Sequence, residues 1–309
     1  MLSVLALNAA PIAIDTKEVN GDITNSSDAT GFGSVGYTYN IGTTAVTNAQ
    51  YAAFLNSVAS ESDAYGLYNA GMGNAGTSYS AGGIERTGEA GNYTYTVIDG
   101  RGDWAVNYVS VWDAMRFCNW LTTGGIDTET GMYMLEGRSP TSTVADILRD
   151  ATAWANGGIA IASQDEWYKA AYYDASTGNY YSYTNQMNTE PSGSDANIWE
   201  SGIGHVTDVY YGTEGPYGTL GQGGNVWEWN DSIVYSNYYS LRGGSFYDDA
   251  SNLDSWYEPS GPPDYEYADY GFRVVSLEAI VIPEPSTYGM LLGIVAIGAV
   301  WVARRRGTL

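Results

Sequence analysis

The sequence has one cysteine, Cys118, and one histidine, His205, in 309 residues. An intramolecular disulfide needs two cysteines, so none can form within the chain. Thiolate clusters and multi-histidine metal sites are excluded for the same reason. A Ser-His-Asp triad stays compatible with the composition, but no nucleophile-elbow pattern indicates one.

Basic residues are also scarce, with 12 Lys and Arg against 35 Asp and Glu, which gives a net charge of −23. Such a surface repels phosphate backbones and excludes nucleic acid as a partner. It attracts cations, although solubility alone also explains an acidic surface on an exported protein. There are only 5 Phe, against 28 Tyr and 10 Trp. Because Tyr and Trp carry a polar group, they suit ligand platforms as well as cores.

The C-terminal segment has three parts: a Pro-Glu-Pro motif, an uncharged stretch at 287–303 and an arginine cluster. The motif and cluster residues are Pro283, Glu284, Pro285, Arg304, Arg305 and Arg306. The 17 uncharged residues would form a transmembrane helix of about 25 Å, with the arginines cytoplasmic. An ordinary tail anchor or a buried helix is the alternative.

This order of features resembles the PEP-CTERM sorting signal of Gram-negative bacteria. The resemblance implies export to the outer cell surface or the extracellular matrix. It also implies an exosortase-type membrane protease as a partner, and at least transient anchoring in the membrane.

Differences in composition divide the rest of the chain into an N-terminal segment, a leader loop, a main domain and a linker. Apolar residues 1–14 are interpreted as the remnant of a signal peptide that begins upstream, with a buried strand as the alternative. Residues 15–34, rich in Gly, Asn, Asp, Ser and Thr, are interpreted as a leader loop. The main domain is assigned to 35–276. A linker follows at 277–286, and residues 304–309 form the basic end.

Local patterns within the main domain predict an α+β fold rich in loops. Capping boxes that begin at Thr47, Ser110 and Ser163 predict three helices. Cys118 falls on the apolar face of the second helix, which favours a small buried side chain over a reactive thiol. Short strands are predicted at 93–98, 225–229, 239–243 and 271–275.

Six motifs occur in order along the main domain: 46–51, 106–121, 162–171, 224–229, 242–246 and 270–273. Together they resemble the formylglycine-generating enzyme family, whose unit is the sulfatase-modifying-factor domain. The resemblance implies a C-type-lectin-like fold. We expect Gly243 and Gly244 to allow close packing or positive φ. We also expect Arg242 and Arg273 to pair with carboxylates.

Family members that oxidise a sulfatase cysteine use two cysteines that bind copper. In this register, Asp248 and Leu253 occupy the cysteine positions, and no cysteine follows Cys118. A soft Cu(I) site of thiolates cannot form without them. We therefore expect no copper, no formylglycine-generating activity and no catalytic residues carried over from the family.

The resemblance also implies two calcium sites with oxygen ligands. The first would use the Glu228 carboxylate and the backbone oxygens of Gly224 and Val226, but Gly221 stands where the family has a further ligand. The second would use the side chains of Asn197 and Asp208 and the backbone oxygens of Ile198 and Tyr210. The alternative is that these residues cap turns.

Residues 245–270 are dense in Tyr, Trp, Asp and Ser, which are typical contact residues. Candidate ligand-binding residues are Tyr247, Asp248, Asp249 and Trp256. Planar aromatic rings beside carboxylates favour a polysaccharide ligand, and a solvated loop is the alternative. The sequence therefore favours a non-catalytic binding module. An enzyme of unknown chemistry and a structural biofilm protein are the other hypotheses.

Overall fold

A computed structural model of the chain describes residues 12–21, 29–235 and 237–280. The Pro-Glu-Pro motif, the predicted membrane helix at 287–303 and the arginine cluster all lie outside these ranges, as do residues 1–11. Among the residues described, no helix is long and apolar enough to cross a membrane.

Of the four α-helices in the part of the chain that the structure describes, three begin where the capping boxes predict. The helices are α1 (Asn48–Val58), α2 (Val111–Thr122), α3 (Ala151–Ala155) and α4 (Gln164–Tyr172). At each of these three helices the side chain of the N-cap residue accepts a hydrogen bond from the backbone amide of the third helical residue. The side chain of that third residue accepts in return from the backbone amide of the cap. The N-cap residues are Thr47, Ser110 and Ser163. The short α3 was not predicted; it begins where Asp150 accepts from two backbone amides.

Short strands form two four-stranded sheets and two hairpins. The strands are β1 (Thr16–Val19), β2 (Tyr39–Gly42), β3 (Ile84–Thr87), β4 (Thr94–Val97), β5 (Ala160–Ile161), β6 (Tyr173–Asp174), β7 (Asn179–Tyr180), β8 (Trp227–Tyr235), β9 (Tyr238–Arg242), β10 (Ser260–Gly261), β11 (Tyr270–Phe272) and β12 (Val274–Ser276). One sheet has the order β1-β2-β12-β5 and the other the order β10-β9-β8-β11. Among the strands of the described ranges, only β11 lies parallel to its neighbour, β8. Three of the four predicted strands are present with shifted ends. The segment predicted as one strand at 271–275 is divided at Arg273 between β11 and β12, which belong to different sheets.

The prediction of a leader loop over 15–34 is wrong at β1. Thr16–Val19 pairs along its whole length with Tyr39–Gly42. Val19 is fully buried, and Ile12 and Ile14 join the same main core. The edge strand escaped prediction because its pairing and burial depend on a partner about twenty residues away.

The main core lies between α1, α2 and the sheets. The ring of Phe117 packs edge to face against two other rings there. The distance between ring centroids is 5.4 Å to Phe54 and 5.5 Å to Phe272. Cys118 is fully buried on α2. Burial raises the pKa of its thiol well above the ordinary value, so the thiol stays neutral. The expectation of a buried, unreactive Cys118 is confirmed.

The glycine pair at 243 and 244 behaves as expected. Both residues have positive φ, 100° and 75°. A Cβ at Gly243 would lie 2.5 Å from the Gln222 oxygen, and one at Gly244 would lie 2.5 Å from the Leu253 side chain. Any larger residue would therefore push this turn away from its neighbours.

Of the two motif arginines, only Arg273 pairs with a carboxylate. Its Nε and Nη2 donate to Glu228 at 2.6 Å each, and both side chains are fully buried. The expectation for Arg242 is wrong. Arg242 donates to the carbonyls of Ser255 and Tyr257. Its guanidinium lies over the rings of Phe32 and Tyr168, which replace the expected carboxylate.

A second buried arginine network was not predicted. Arg149 donates to Asp231 at 2.6 Å and to both oxygens of Glu166, at 2.7 and 3.0 Å. Tyr133 and Tyr37 donate to the same carboxylates, each at 2.7 Å. Arg149 contributes to lowering the pKa of Glu166 against the opposing effect of burial. This network ties the loop before α3 to α4 and β8.

Candidate functional site

The first predicted calcium site does not fit the structure. Glu228 is fully buried, and its carboxylate accepts two bonds from Arg273 and one from Trp167 Nε1 at 2.7 Å. An arginine in contact neutralises the carboxylate and repels a further cation. These contacts argue against Glu228, with the Gly224 and Val226 oxygens, as a calcium ligand, and calcium at this site stays a prediction. Glu228 is an ion-pair partner that holds β8 to the end of β11.

The second predicted calcium site consists of side chains that close turns. Asn197 Oδ1 accepts from Ser201, and its amide donates to the His205 carbonyl and to Asn225. Asp208 Oδ1 accepts from the Tyr210 amide. These bonds match the turn-capping alternative. No group of three or more metal-binding side chains occurs in the described part of the chain. Calcium at Asn197, Ile198, Asp208 and Tyr210 stays a prediction.

A different arrangement is found where the family has its first cysteine. Ser245 donates from Oγ to Asp248 Oδ2 at 2.5 Å, and the same oxygen lies 3.2 Å from Asp269 Oδ2. A serine hydroxyl has one hydrogen, so it can donate to only one of the two carboxylates. The shorter contact assigns that hydrogen to Asp248. A hydrogen bond to Asp269 then requires a proton on Asp269.

The titration of Asp269 agrees with this proton count. Burial, and next the negative charge of Asp248, raise its pKa from 3.8 to about 6. Its other oxygen accepts a long bond, 3.4 Å, from the Tyr79 hydroxyl. Asp248 has more donors: the Ser245 amide at 3.1 Å and the Asn252 amide at 2.9 Å join the Ser245 hydroxyl. Asp269 is thus the less satisfied member of the pair.

Exposed aromatic rings stand around this acid pair. Tyr79 and Tyr247 meet at 4.7 Å with 65° between their planes, and Trp199 meets Tyr247 at 5.8 Å and 88°. The three residues are 40%, 56% and 59% exposed. At these angles the rings pack edge to face rather than in a flat stack, and they form an aromatic cage that is open on one side. We refer to Ser245, Asp248, Asp269, Tyr79, Tyr247 and Trp199 as the acid–aromatic site.

Four separate loops contribute to the acid–aromatic site, and buried polar side chains fix their positions. Asn107 donates to the carbonyls of Ala81 and Ala268, which joins the loop of Tyr79 to that of Asp269. The Trp199 amide donates to the Asp248 carbonyl at 2.9 Å. The ring contacts therefore belong to a preorganised surface.

Arg101 holds the loop that carries Tyr79. Its guanidinium donates to four carbonyls between residues 74 and 82, at 2.5 to 3.1 Å. It also lies over the Trp104 ring, 4.5 Å from the centroid. Only the scarcity of basic residues marks Arg101 in the sequence, and that signal does not indicate its partners.

The structure brings only some of the predicted ligand-binding residues together. Tyr247 and Asp248 belong to the acid–aromatic site, and Asp249 is exposed beside them. Trp256 is 66% exposed on a separate turn, where its amide donates to Asp254. Within the described ranges, neither a ring contact nor a hydrogen bond links Trp256 to Tyr247. Tyr79 and Trp199 were missed because they come from distant segments. Asp269 lies within the segment 245–270, but its contact with Ser245 depends on the folded chain.

Leu253, at the second cysteine position, is fully buried in a small apolar cluster that includes Ile198 and Tyr183. Its side chain fills the space beside Gly244. The two positions that form a thiol pair in oxidising family members therefore hold a carboxylate and a core leucine. The arrangement can bind a ligand and exchange a proton at Asp269, but it has no thiol to exchange electrons.

The fold and this site together define a class of protein. Residues 33–277 match the Sulfatase-modifying factor enzyme 1-like domain. The chain therefore belongs to this family, as the six motifs indicated. No functionally curated protein matches it.

Solved structures support the same fold. Variable protein 1 of Treponema denticola is 17% identical, with 87% of this chain and 97% of that chain covered and a TM-score of 0.59. CarF is 22% identical, with 86% and 99% covered and a TM-score of 0.60. The α+β fold of the family is confirmed by these neighbours; at such identities they carry no function across.

The tail is matched as well. Residues 281–306 match the PEP-CTERM protein-sorting motif. The chain is thus marked for export and sorting to the cell envelope, with processing by an exosortase, which is a membrane enzyme. These two matches confirm both resemblances seen in the sequence.

Proposed function

We propose that the protein is a non-catalytic ligand-binding module, delivered to the outer surface or extracellular matrix of a Gram-negative bacterium, and that its ligand is a polysaccharide. The observation that carries this proposal is the acid–aromatic site, where exposed rings lie next to two carboxylates, one of them Asp248 at a cysteine position of the family. Aromatic faces pack against the apolar faces of sugar rings, and carboxylates accept bonds from sugar hydroxyls. The C-terminal segment 287–303 serves as a transient membrane anchor until exosortase cleaves the chain near Pro283–Pro285.

Rigid loops support this proposal. The hydrogen bonds of Asn107 and Arg101 fix the positions of the rings before a ligand arrives. A preorganised site loses little conformational entropy on binding. Exposed Tyr and Trp rings have few rotatable bonds and provide large contact areas at low entropic cost.

A glycan array tests the proposal with three proteins. The wild type should bind a limited set of glycans, and Tyr247→Ala should lose that binding because the middle ring of the cage is gone. Trp256→Ala is the matched control, since it removes an equally exposed ring from a different turn. An array without hits for the wild type would contradict polysaccharide binding. Loss of binding in Trp256→Ala alone would move the site to that turn.

The raised pKa of Asp269 favours a second candidate, hydrolysis of a glycosidic bond. A carboxylic acid that titrates near pH 6 can donate a proton to a leaving group, and a second carboxylate lies nearby. Incubation of each bound glycan with the wild type, followed by assay of new reducing ends, separates the two candidates. Reducing ends that disappear in Asp269→Asn would favour the enzyme, and their absence would favour the binding module.

A further inference from the structure

The acid–aromatic site has an excess of negative charge that its surroundings leave uncompensated. In the part of the chain that the structure describes, the ion pairs of Lys and Arg involve neither Asp248 nor Asp269. The groups that face Asp269 are Asp248, Ser245 and the hydroxyls of Tyr79, Tyr108 and Tyr270. These groups are acidic or neutral, so a second negative charge at Asp269 is unfavourable until a cation arrives.

The geometry distinguishes between kinds of cation. A calcium ion needs six to eight oxygen ligands. Asp248 already accepts three hydrogen bonds, so its oxygens are largely occupied. An ammonium group needs fewer acceptors and is also stabilised by aromatic faces. Tyr79, Tyr247 and Trp199 supply such exposed rings next to the acid pair, where the Tyr79 hydroxyl bonds to Asp269 and the Trp199 amide to the Asp248 carbonyl.

We infer that the ligand carries free amino groups, and that it is a hexosamine polymer from which N-acetyl groups have been removed. This inference rests on the proposed glycan-binding function and deepens it. The ammonium group lies against Asp269, and the sugar rings lie against the cage of Tyr79, Tyr247 and Trp199. An N-acetylated polymer has the same rings but a neutral amide in place of the charge.

Two tetrasaccharides with the same linkage test the inference on the complete chain by isothermal titration calorimetry at pH 6.5. One is a glucosamine tetramer and the other its fully N-acetylated form. The glucosamine tetramer should bind at least about tenfold more tightly, and Tyr247→Ala should weaken both. Equal or tighter binding of the acetylated form would overturn the inference and leave the proposed glycan-binding function standing. If neither tetramer binds, and the glycan array is also empty, the proposed function fails as well.

A pair of matched variants tests whether Asp269 is the carboxylate that binds the ammonium group. Asp269→Asn keeps the shape of the side chain and removes its charge, so it should lose the preference for the glucosamine tetramer. Glu200→Gln removes an exposed charge beside Trp199 that has no bond to Ser245, and it should keep the preference. The opposite pattern would contradict the role of Asp269. Because Asn in place of Asp269 can still bond to Ser245 and Tyr79, thermal melting should show a folded variant.

The pH dependence gives an independent readout. A trimethylated glucosamine tetramer keeps its charge at all pH values, so any change in its affinity reports on the protein. Its affinity should rise about tenfold between pH 5 and pH 7 as Asp269 loses its proton. Asp269→Asn should remove this rise. A flat profile for the wild type, or displacement of the tetramer by 1 mM calcium chloride alone, would overturn the inference in favour of a neutral ligand or a divalent cation.

Discussion

Two groups of buried carboxylates in the described part of the chain differ in whether an arginine donates to them. Around Arg149, the carboxylates of Glu166 and Asp231 accept charged hydrogen bonds of 2.6 to 3.0 Å. Around Ser245, the carboxylates of Asp248 and Asp269 share a neutral hydroxyl. The pKa of Glu166 is lowered because Arg149, together with the hydrogen bonds from Ser163 and Tyr37, outweighs the effect of burial. Asp231 pairs with the same arginine, but burial dominates there and its pKa is raised. Asp269 pairs with no arginine in the described part of the chain, and burial and the charge of Asp248 raise its pKa to about 6.

This difference separates structural acids from a candidate functional acid. A carboxylate that is paired with arginine contributes to the fold and has little affinity left for a ligand. The unpaired acids at the acid–aromatic site lie next to exposed rings, where a ligand can supply the missing positive charge. The same reasoning argues against Glu228 as a calcium ligand, because Arg273 already neutralises it.

The largest expected effect comes from breaking the arginine network. Arg149→Ala leaves Glu166 and Asp231 buried without a counter-charge, and should lower the free energy of unfolding by about 3–5 kcal/mol. Chemical denaturation measures this change. Asp146→Ala is the control, because Asp146 pairs with Arg138 while 51% exposed and its loss should cost less than about 1 kcal/mol. Equal effects of the two variants would contradict the assigned role of Arg149.

At the acid–aromatic site, removal of a charge should raise the free energy of unfolding rather than lower it. The folded state raises the pKa of Asp269 from 3.8 to about 6, so it binds the proton more tightly than the unfolded chain does. Between these pH values the free energy of unfolding therefore falls as pH rises, and above pH 6 the whole penalty remains. Asp269→Asn should stabilise the protein at pH 7 by about 2 kcal/mol, since Asn has no charge to bury.

Denaturation curves from pH 4 to pH 8 check this prediction. Asp113, whose pKa burial raises to about 8, adds its own decline in stability with pH. The relevant quantity is therefore the difference between wild type and Asp269→Asn, which should grow from pH 4 to pH 6 and then stay constant. A difference that does not vary with pH would contradict the raised pKa of Asp269.

The sequence predicts those features that depend on neighbouring residues. Each capping box spans four residues, and the structure confirms all three. The positive φ of Gly243 and Gly244 is likewise a local property of the turn. The Glu228–Arg273 pair links two motifs of the family, and only the pairing of Arg273 was predicted, without its partner.

Features that depend on distant contacts escaped prediction. Arg242 stacks on Phe32, about 210 residues away along the chain, and no local pattern indicates that an aromatic ring replaces the expected carboxylate. The acid–aromatic site combines segments around residues 79, 199, 245 and 269. Tyr247 and Asp248 were identified because they lie in a segment dense in contact residues, but the contact of Ser245 with both Asp248 and Asp269 requires the folded chain.

A smaller effect is expected from loosening the loop of Tyr79 while the acid–aromatic site stays chemically intact. Arg101→Lys keeps the charge but loses the fork that reaches four carbonyls. We expect a loss of about 1–2 kcal/mol in the free energy of unfolding. Faster amide hydrogen exchange at residues 74–82 should accompany it. Unchanged exchange in this loop would show that Arg101 does not hold it.

The smallest expected effect concerns calcium, and it tests whether any acid outside the arginine pairs binds a metal. If Asn197 and Asp208 form the second predicted site, calcium at ten times its Kd should stabilise the wild type by about 1.4 kcal/mol. Asp208→Asn should remove this gain, whereas Glu228→Gln should leave it unchanged, because Glu228 is already neutralised by Arg273. Thermal melting with and without calcium measures both.

An unchanged melting temperature in the wild type would leave Asn197 and Asp208 as turn-closing residues, consistent with the bonds that they make to Ser201 and Tyr210. Loss of the gain in Glu228→Gln would instead show that an arginine-paired carboxylate still binds a metal, which would break the distinction between paired and unpaired acids.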